Sequence, residues 1–137
     1  MNDVGAREES HRHILLLADT DSSQSELLRQ FVNKRADIDI RLAHGTQQVK
    51  EMVDREPPVL LLLAVDWSKT EGPDALQYVR SKGHTFPVIT LSYALSDQEQ
   101  RHCHELGATA CLDKNKLNLE TLWGEMKKYI PSEDLHG

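Results

Sequence analysis

The chain has 137 residues, enough for one domain that buries a real core without disulfides or a structural metal. Its 16 Lys and Arg against 22 Asp and Glu leave a net charge of -6, which weighs against non-specific nucleic-acid binding by this domain. The longest apolar stretch, Val59 to Val65, falls far short of the roughly 20 residues a spanning helix needs, so the chain reads as soluble, with no membrane partner.

Residues 1–11 are polar, charged and without periodicity, and read as a disordered leader. His13 to Ala18, H-I-L-L-L-A, is a short buried strand that ends on Asp19, Thr20 and Asp21. Ser22 and Ser23 can cap a following helix whose apolar residues Leu27, Leu28, Phe31 and Val32 recur at helical spacing. Ile38 to Ala43, I-D-I-R-L-A, alternates as a half-exposed strand near a sheet edge should. Gly45 and Thr46 open a second helix with Val49, Met52 and Val53 on one face, and Pro57 and Pro58 close it.

Val59 to Trp67, V-L-L-L-L-A-V-D-W, is the run around which the chain is organised. Unbroken apolar sequence means that both faces are covered, as in a parallel sheet flanked by helices. Asp66 therefore sits at a strand's carboxyl end, the edge where open α/β sheets bind ligands. Pro73 suits a helix first turn, with Ala75, Leu76 and Val79 on the buried side. Phe86 to Leu91 is a fourth strand, its Pro87 tolerable at the start, and it ends on Ser92. Ser96 and Asp97 cap a helix that runs to about Leu106 and stops at Gly107. Ala108 to Asp113 is a fifth strand, ending on Lys114. The last helix sets Leu119, Leu122, Met126, Tyr129 and Ile130 on one face and stops at Pro131. Residues 131–137 read as a short polar tail.

Five β-α units without an internal repeat predict a doubly wound, five-stranded parallel α/β domain with helices on both faces. The strand ends then bring Asp19, Asp66, Ser92 and Lys114 to one edge. Two neighbouring carboxylates call for a cation, and oxygen-only ligands favour Mg²⁺ over zinc or copper. Cys103 and Cys111 have no C-x-x-C spacing and no signal peptide ahead of them, and read as reduced, buried, cytosolic thiols. His102 and His104 flank Cys103, but residues i and i+2 lie about 200° apart on a helix and cannot share an ion.

Over Arg12 to Ile130 the pattern resembles the receiver domain of two-component response regulators, the chemotaxis-regulator type included. The likeness rests on D-W-S after the third strand, G-P-D-A-L-Q-Y-V-R at the next helix start, P-V-I-T-L-S before the fourth loop, and G-A-T-A-C-L-D-K ending the fifth strand. It implies a flavodoxin-like strand order 2-1-3-4-5, with the receiver domain over residues 12–130. It further implies that Asp66 accepts a phosphoryl group from a histidine kinase or phosphotransfer protein. Asp19, Asp66 and the backbone carbonyl of Ser68 would bind Mg²⁺, with Asp21 or Thr20 as a further ligand. Ser92 would hydrogen-bond the phosphoryl oxygen and Lys114 would pair with its charge. Such a chain is a cytoplasmic bacterial signalling switch, not an enzyme beyond its own phosphotransfer and dephosphorylation. A downstream protein or a second copy would read its fourth helix, fifth strand and fifth helix.

The departures from that pattern are specific. Thr20 stands where the family keeps the second acid of its pair, which should weaken the metal site. Tyr93 replaces a small residue and can crowd the path to the site. Asn115 replaces a proline that is commonly cis, a geometry that before Asn costs about 3 kcal/mol, so the following loop should differ. Cys111 stands where many members keep a rotating Tyr or Phe. These departures support an alternative, a pseudo-receiver acting as a phosphorylation-independent interaction module.

Overall fold

The leucine run at the centre of the sequence becomes β3 (Leu60–Ala64), paired in parallel on one side with β1 (Ile14–Ala18) and on the other with β4 (Val88–Ser92). β2 (Asp39–Ala43) and β5 (Ala110–Asp113) are the edges, giving the order β2-β1-β3-β4-β5. This is a computed structural model, and it describes residues 13–19, 22–67 and 69–136. The leader at 1–11 lies outside them, as do Thr20, Asp21 and Ser68. Every residue of β1 and β4 is buried, as unbroken apolar runs require, whereas β2 and β5 alternate or fade toward solvent.

Five α-helices connect the strands among the described residues: α1 (Ser22–Asn33), α2 (Thr46–Arg55), α3 (Glu71–Ser81), α4 (Asp97–Glu105) and α5 (Leu119–Met126). Leu28 and Val32 of α1 join Leu122 and Met126 of α5 in one core, against Leu15, Leu17, Leu60 and Leu62. Val49 and Val53 of α2, Leu76 and Val79 of α3 and Cys103 of α4 fill the other, against Leu16, Leu61 and Leu63. Successive residues of β1 and β3 thus face opposite cores, and the strand order reverses between these two strands. Among the described residues no helix is long and apolar enough to cross a membrane.

Three expectations need correcting. Leu27, expected on the buried face of α1, is 61% exposed, because Leu28, Val32 and the buried Ser25 already fill the stripe that meets the sheet. Leu119 is likewise exposed at the start of α5, which gives way to a 3-10 turn at Lys127–Tyr129 before Ile130. Residues 131–136 are bonded to the α1–β2 connection: Asp37 N–H donates to the Asp134 carbonyl (2.7 Å), His136 N–H donates to that of Arg35 (2.8 Å), and Ala36 bridges Leu135. Leu135 packs against the α1/α5 core, and His13 Nδ1 meets Asp134 Oδ2 at 2.6 Å.

Helix ends follow local chemistry closely. Ser96 accepts from Glu99 N–H while the Glu99 carboxylate accepts from Ser96 N–H, a complete capping box for α4. Gly107, with φ +105°, turns the chain from α4 back to the sheet. Arg80 holds that turn from the neighbouring helix: its guanidinium donates to the carbonyls of Gly107 (2.9 Å), His84 (3.0 Å) and Phe86 (2.8 Å). A Cβ on Gly107 would lie 2.7 Å from Arg80 Cγ as well as straining the backbone. Gly107→Ala should therefore cost about 1–3 kcal/mol, read as a lower urea midpoint with an unchanged m-value. Wild-type stability in that variant would show the turn to be unstrained.

Candidate functional site

The site forms where the sheet's carboxyl edge meets the reversal of strand order. Asp19 follows β1 directly, its N–H donating to the Ala43 carbonyl of β2 at 3.2 Å. Asp66 lies two residues beyond β3 and is exposed, while Val65 N–H donates to Leu91 (2.8 Å) and keeps the chain on the sheet until that point. Lys69 N–H then donates to the Asp66 carbonyl (3.0 Å), so the loop turns sharply after the carboxylate. Asp19, Asp66 and Lys114 line one cleft of about 540 Å³, together with Trp67 and Tyr93.

Lys114 opens a 3-10 turn immediately after β5 and reaches back across the sheet end. Its Nζ lies 3.6 Å from Asp19 Oδ2, with both side chains only 18% exposed, and 4.9 Å from the centre of the Tyr93 ring. Tyr93 is 59% exposed and accepts a long hydrogen bond from Gln24 Nε2 (3.5 Å), so its ring stands over the ammonium from the solvent side. Ser92, the last residue of β4, is 2% exposed. Among the described residues its Oγ has no hydrogen-bond partner, an uncommon state for a buried hydroxyl. Ser68, Thr20 and Asp21, the other expected contributors, lie outside the described residues.

The chain after Lys114 does take another shape: the Lys114–Lys116 turn forms without any cis peptide among the described residues. Asp113, whose role the sequence does not announce, organises it. Its carboxylate accepts from the N–H groups of Asn115 (2.9 Å), Leu95 (3.1 Å) and Ala94 (3.2 Å), tying the β4–α4 loop to the end of β5. Ala94 sits at φ +51°, a left-handed conformation that this clasp holds. A short acidic residue two positions before the amide it caps is the one local signal that could have marked it.

The cysteines differ from expectation. Cys103 of α4 and Cys111 of β5 are joined as a disulfide, with Cα atoms 6.6 Å apart, because the Gly107 turn folds the helix directly back over the strand. His102 and His104 are exposed on either side of Cys103, and no group of three His, Cys, Asp or Glu among the described residues is arranged to hold a metal ion. A second, smaller cavity of about 300 Å³ lies between α1 and α5, rimmed by Leu27, Leu119 and Tyr93.

The Asn115 amide first, then those of Leu95 and Ala94, hold the Asp113 carboxyl below the ordinary value of 3.8 despite the opposing cost of burial. Because the folded value is depressed, the clasp contributes fully above about pH 3.8 and is lost only as pH falls through the lower, folded value. Asp113→Ala should raise amide exchange at Ala94, Leu95 and Asn115 by about tenfold or more at neutral pH. Wild type should lose the same protection only in acid below that point. Unchanged exchange in the variant would remove Asp113 from this role.

The response regulator receiver domain family is matched over residues 15–124. Among solved structures, a signal receiver domain from Vibrio parahaemolyticus is similar with a TM-score of 0.78 at 21% identity, over 86% of this chain and 89% of that one. A two-component response regulator from Clostridium difficile gives 0.76 at 24% identity, over 86% and 95%. The BeF3-activated N-terminal receiver domain of Klebsiella pneumoniae RstA gives 0.74 at 20%, over 85% and 97%. No curated protein sequence is significantly similar. With the family matched over most of its length and carrying that fold's strand order, the chain belongs to the response regulator receiver domains of two-component signalling.

Proposed function

We propose that Asp66 takes a phosphoryl group from a phosphohistidine on a histidine kinase or phosphotransfer protein, and that this switches a surface of α4, β5 and α5 read by a downstream protein or a second copy. The observation that carries this reading is the Ser92 hydroxyl, buried at the carboxyl end of β4 and without a hydrogen-bond partner among the described residues. A hydroxyl kept dry and unbonded costs free energy unless an acceptor arrives, and a phosphoryl oxygen is such an acceptor.

The other groups fit the same chemistry. Phosphoryl transfer asks mainly for positioning and for positive charge around the equatorial oxygens. Asp66 is exposed, and an ionised carboxylate attacks phosphorus without a general base while the phosphorus–nitrogen bond of the donor breaks. Lys114 is on hand to follow the new charge. Asp19 and Asp66 on one cleft are hard oxygen donors suited to Mg²⁺, to which the Ser68 carbonyl and Asp21 or Thr20 would add. Bound there, the ion would supply charge neutralisation at the phosphoryl oxygens. The Lys114–Asp19 pair competes for one of those carboxylates, which favours weak metal binding. A kinase-fed switch of this kind works in the cytoplasm.

Tyr93 over Lys114 is the feature that favours the pseudo-receiver reading. Incubation with acetyl phosphate and Mg²⁺, followed by intact mass measurement, separates the two. Wild type should gain one phosphoryl group, Asp66→Asn none, and Tyr93→Ala should label several-fold faster. Identical spectra for wild type and Asp66→Asn, under conditions that label another receiver, would leave the interaction module as the reading.

A further inference from the structure

Cys103 is the only buried residue of α4. The other eight positions of Asp97–Glu105 are polar or charged and none is buried, so the helix has almost no apolar stripe of its own. What lies beneath Cys103 is β5: Cys111 is buried in the same core, and the two sulfurs are bonded. Thr90, fully buried and paired in register with Cys111, donates its hydroxyl to Cys103 Sγ at 3.0 Å. The covalent bond is thus the principal attachment of the middle of α4 to the sheet. Beyond it the helix has the His102 ring edge-on to Trp67, its own Ser96 capping box and, at its trailing turn, the Arg80 bond to Gly107.

We propose that Cys103 and Cys111 are a reversible dithiol–disulfide couple, a redox modification site whose closure pins α4 to β5 and whose opening frees it. In a reducing compartment the dithiol is the resting form, and a cytosolic disulfide is typically transient and sensing. The oxidant is a hydroperoxide. The Cys111 thiolate, buried but at 6% exposure the nearer of the two to solvent, attacks the peroxide and breaks its oxygen–oxygen bond, giving a sulfenic acid and an alcohol, or water from hydrogen peroxide. Cys103 then displaces water from that sulfur, and the disulfide forms. Both thiols have lost a proton and an electron each, which the peroxide has taken up. A protein dithiol reverses the step by exchange and leaves as its own disulfide.

The placement gives the couple a consequence. His102, next to Cys103, packs edge-on to Trp67 with ring centroids 5.7 Å apart, and Trp67 directly follows Asp66. Cys111 and Asp113 lie on the same face of β5, two residues apart, beneath the loop that Asp113 clasps. Use of the couple as a second input to the switch rests on the receiver reading above. Bond formation and α4 protection are measured without phosphate, so the two ideas fail separately.

The full chain, reduced with dithiothreitol or treated with hydrogen peroxide, is denatured, alkylated and weighed, and amide exchange is followed over residues 97–105 in both native forms. The reduced chain should take two alkyl groups and the oxidised chain none, with dithiothreitol restoring both. Oxidation should slow exchange in α4 by about tenfold and raise Tm by about 5–10 °C. Cys103→Ser and Cys111→Ser, each left with a single thiol to alkylate, should keep the reduced exchange rate and Tm under either treatment; if either fails to fold, the wild-type pair of states decides alone. Full alkylation after peroxide, or α4 exchange that is the same in both states, overturns the proposal.

Discussion

A parallel sheet covered on both faces can place polar chemistry only where the strands run out. In this chain the constraint is severe, because β1, β3 and β4 are buried save for Ala64 at the end of β3, and their interior is almost wholly leucine, isoleucine, valine and alanine. The helices divide between the faces with the reversal at β1 and β3, and the loops after those two strands leave in opposite directions. The gap they leave holds Asp19 and Asp66. Lys114 reaches it from the end of β5, because parallel neighbours end at the same edge, and Ser92 is the buried last residue of β4.

Within that gap the decisive charge is Lys114. It has a carboxylate at 3.6 Å and an aromatic face at 4.9 Å, and these claims are unequal. A cation–π contact with an exposed ring contributes about 0.5–1 kcal/mol, so Tyr93 is a weak hold on the lysine. Asp19 carries one charge where a phosphoryl group carries nearly two, and both it and Lys114 are largely shielded from solvent. What Tyr93 sets against entry to the cleft is therefore its bulk far more than its hold on the lysine.

Much of this was legible in the residues themselves. Leucine runs with turn residues after them gave strands within a residue or two, and Ser96 and Gly107 marked both ends of α4 because caps are local chemistry. What was not legible depended on distance in sequence. Asp113 looks like an ordinary strand-end acid until Ala94 and Leu95, remote in the chain, bring their N–H groups to it. Leu27 matches the apolar period of α1, yet the period cannot say which side of a wide stripe meets the sheet, and Ser25 is the one that turns inward. The cysteines carried no motif spacing, and their meeting is a product of the Gly107 turn. Residues 131–136 have too little pattern to reveal that they return to the α1–β2 connection.

The same comparison isolates α4 as the least committed element. Its neighbours α2 and α3 bury two and three apolar side chains, which hold them by dispersion and burial that no single change releases. α4 buries one small side chain, Cys103, which is bonded to Cys111, and is otherwise fastened at discrete points: a capping box, the Asp113 clasp on its leading loop, and Arg80 at its trailing turn. Discrete polar fastenings are lost one at a time, which leaves the disulfide as the one tie of α4 that such losses do not release. The Asp113 clasp is covalently continuous with Lys114. The residue that anchors the β4–α4 loop and the residue that faces Asp19 at the sheet edge are thus adjacent, so the seating of α4 and the charge at that edge meet in a single dipeptide.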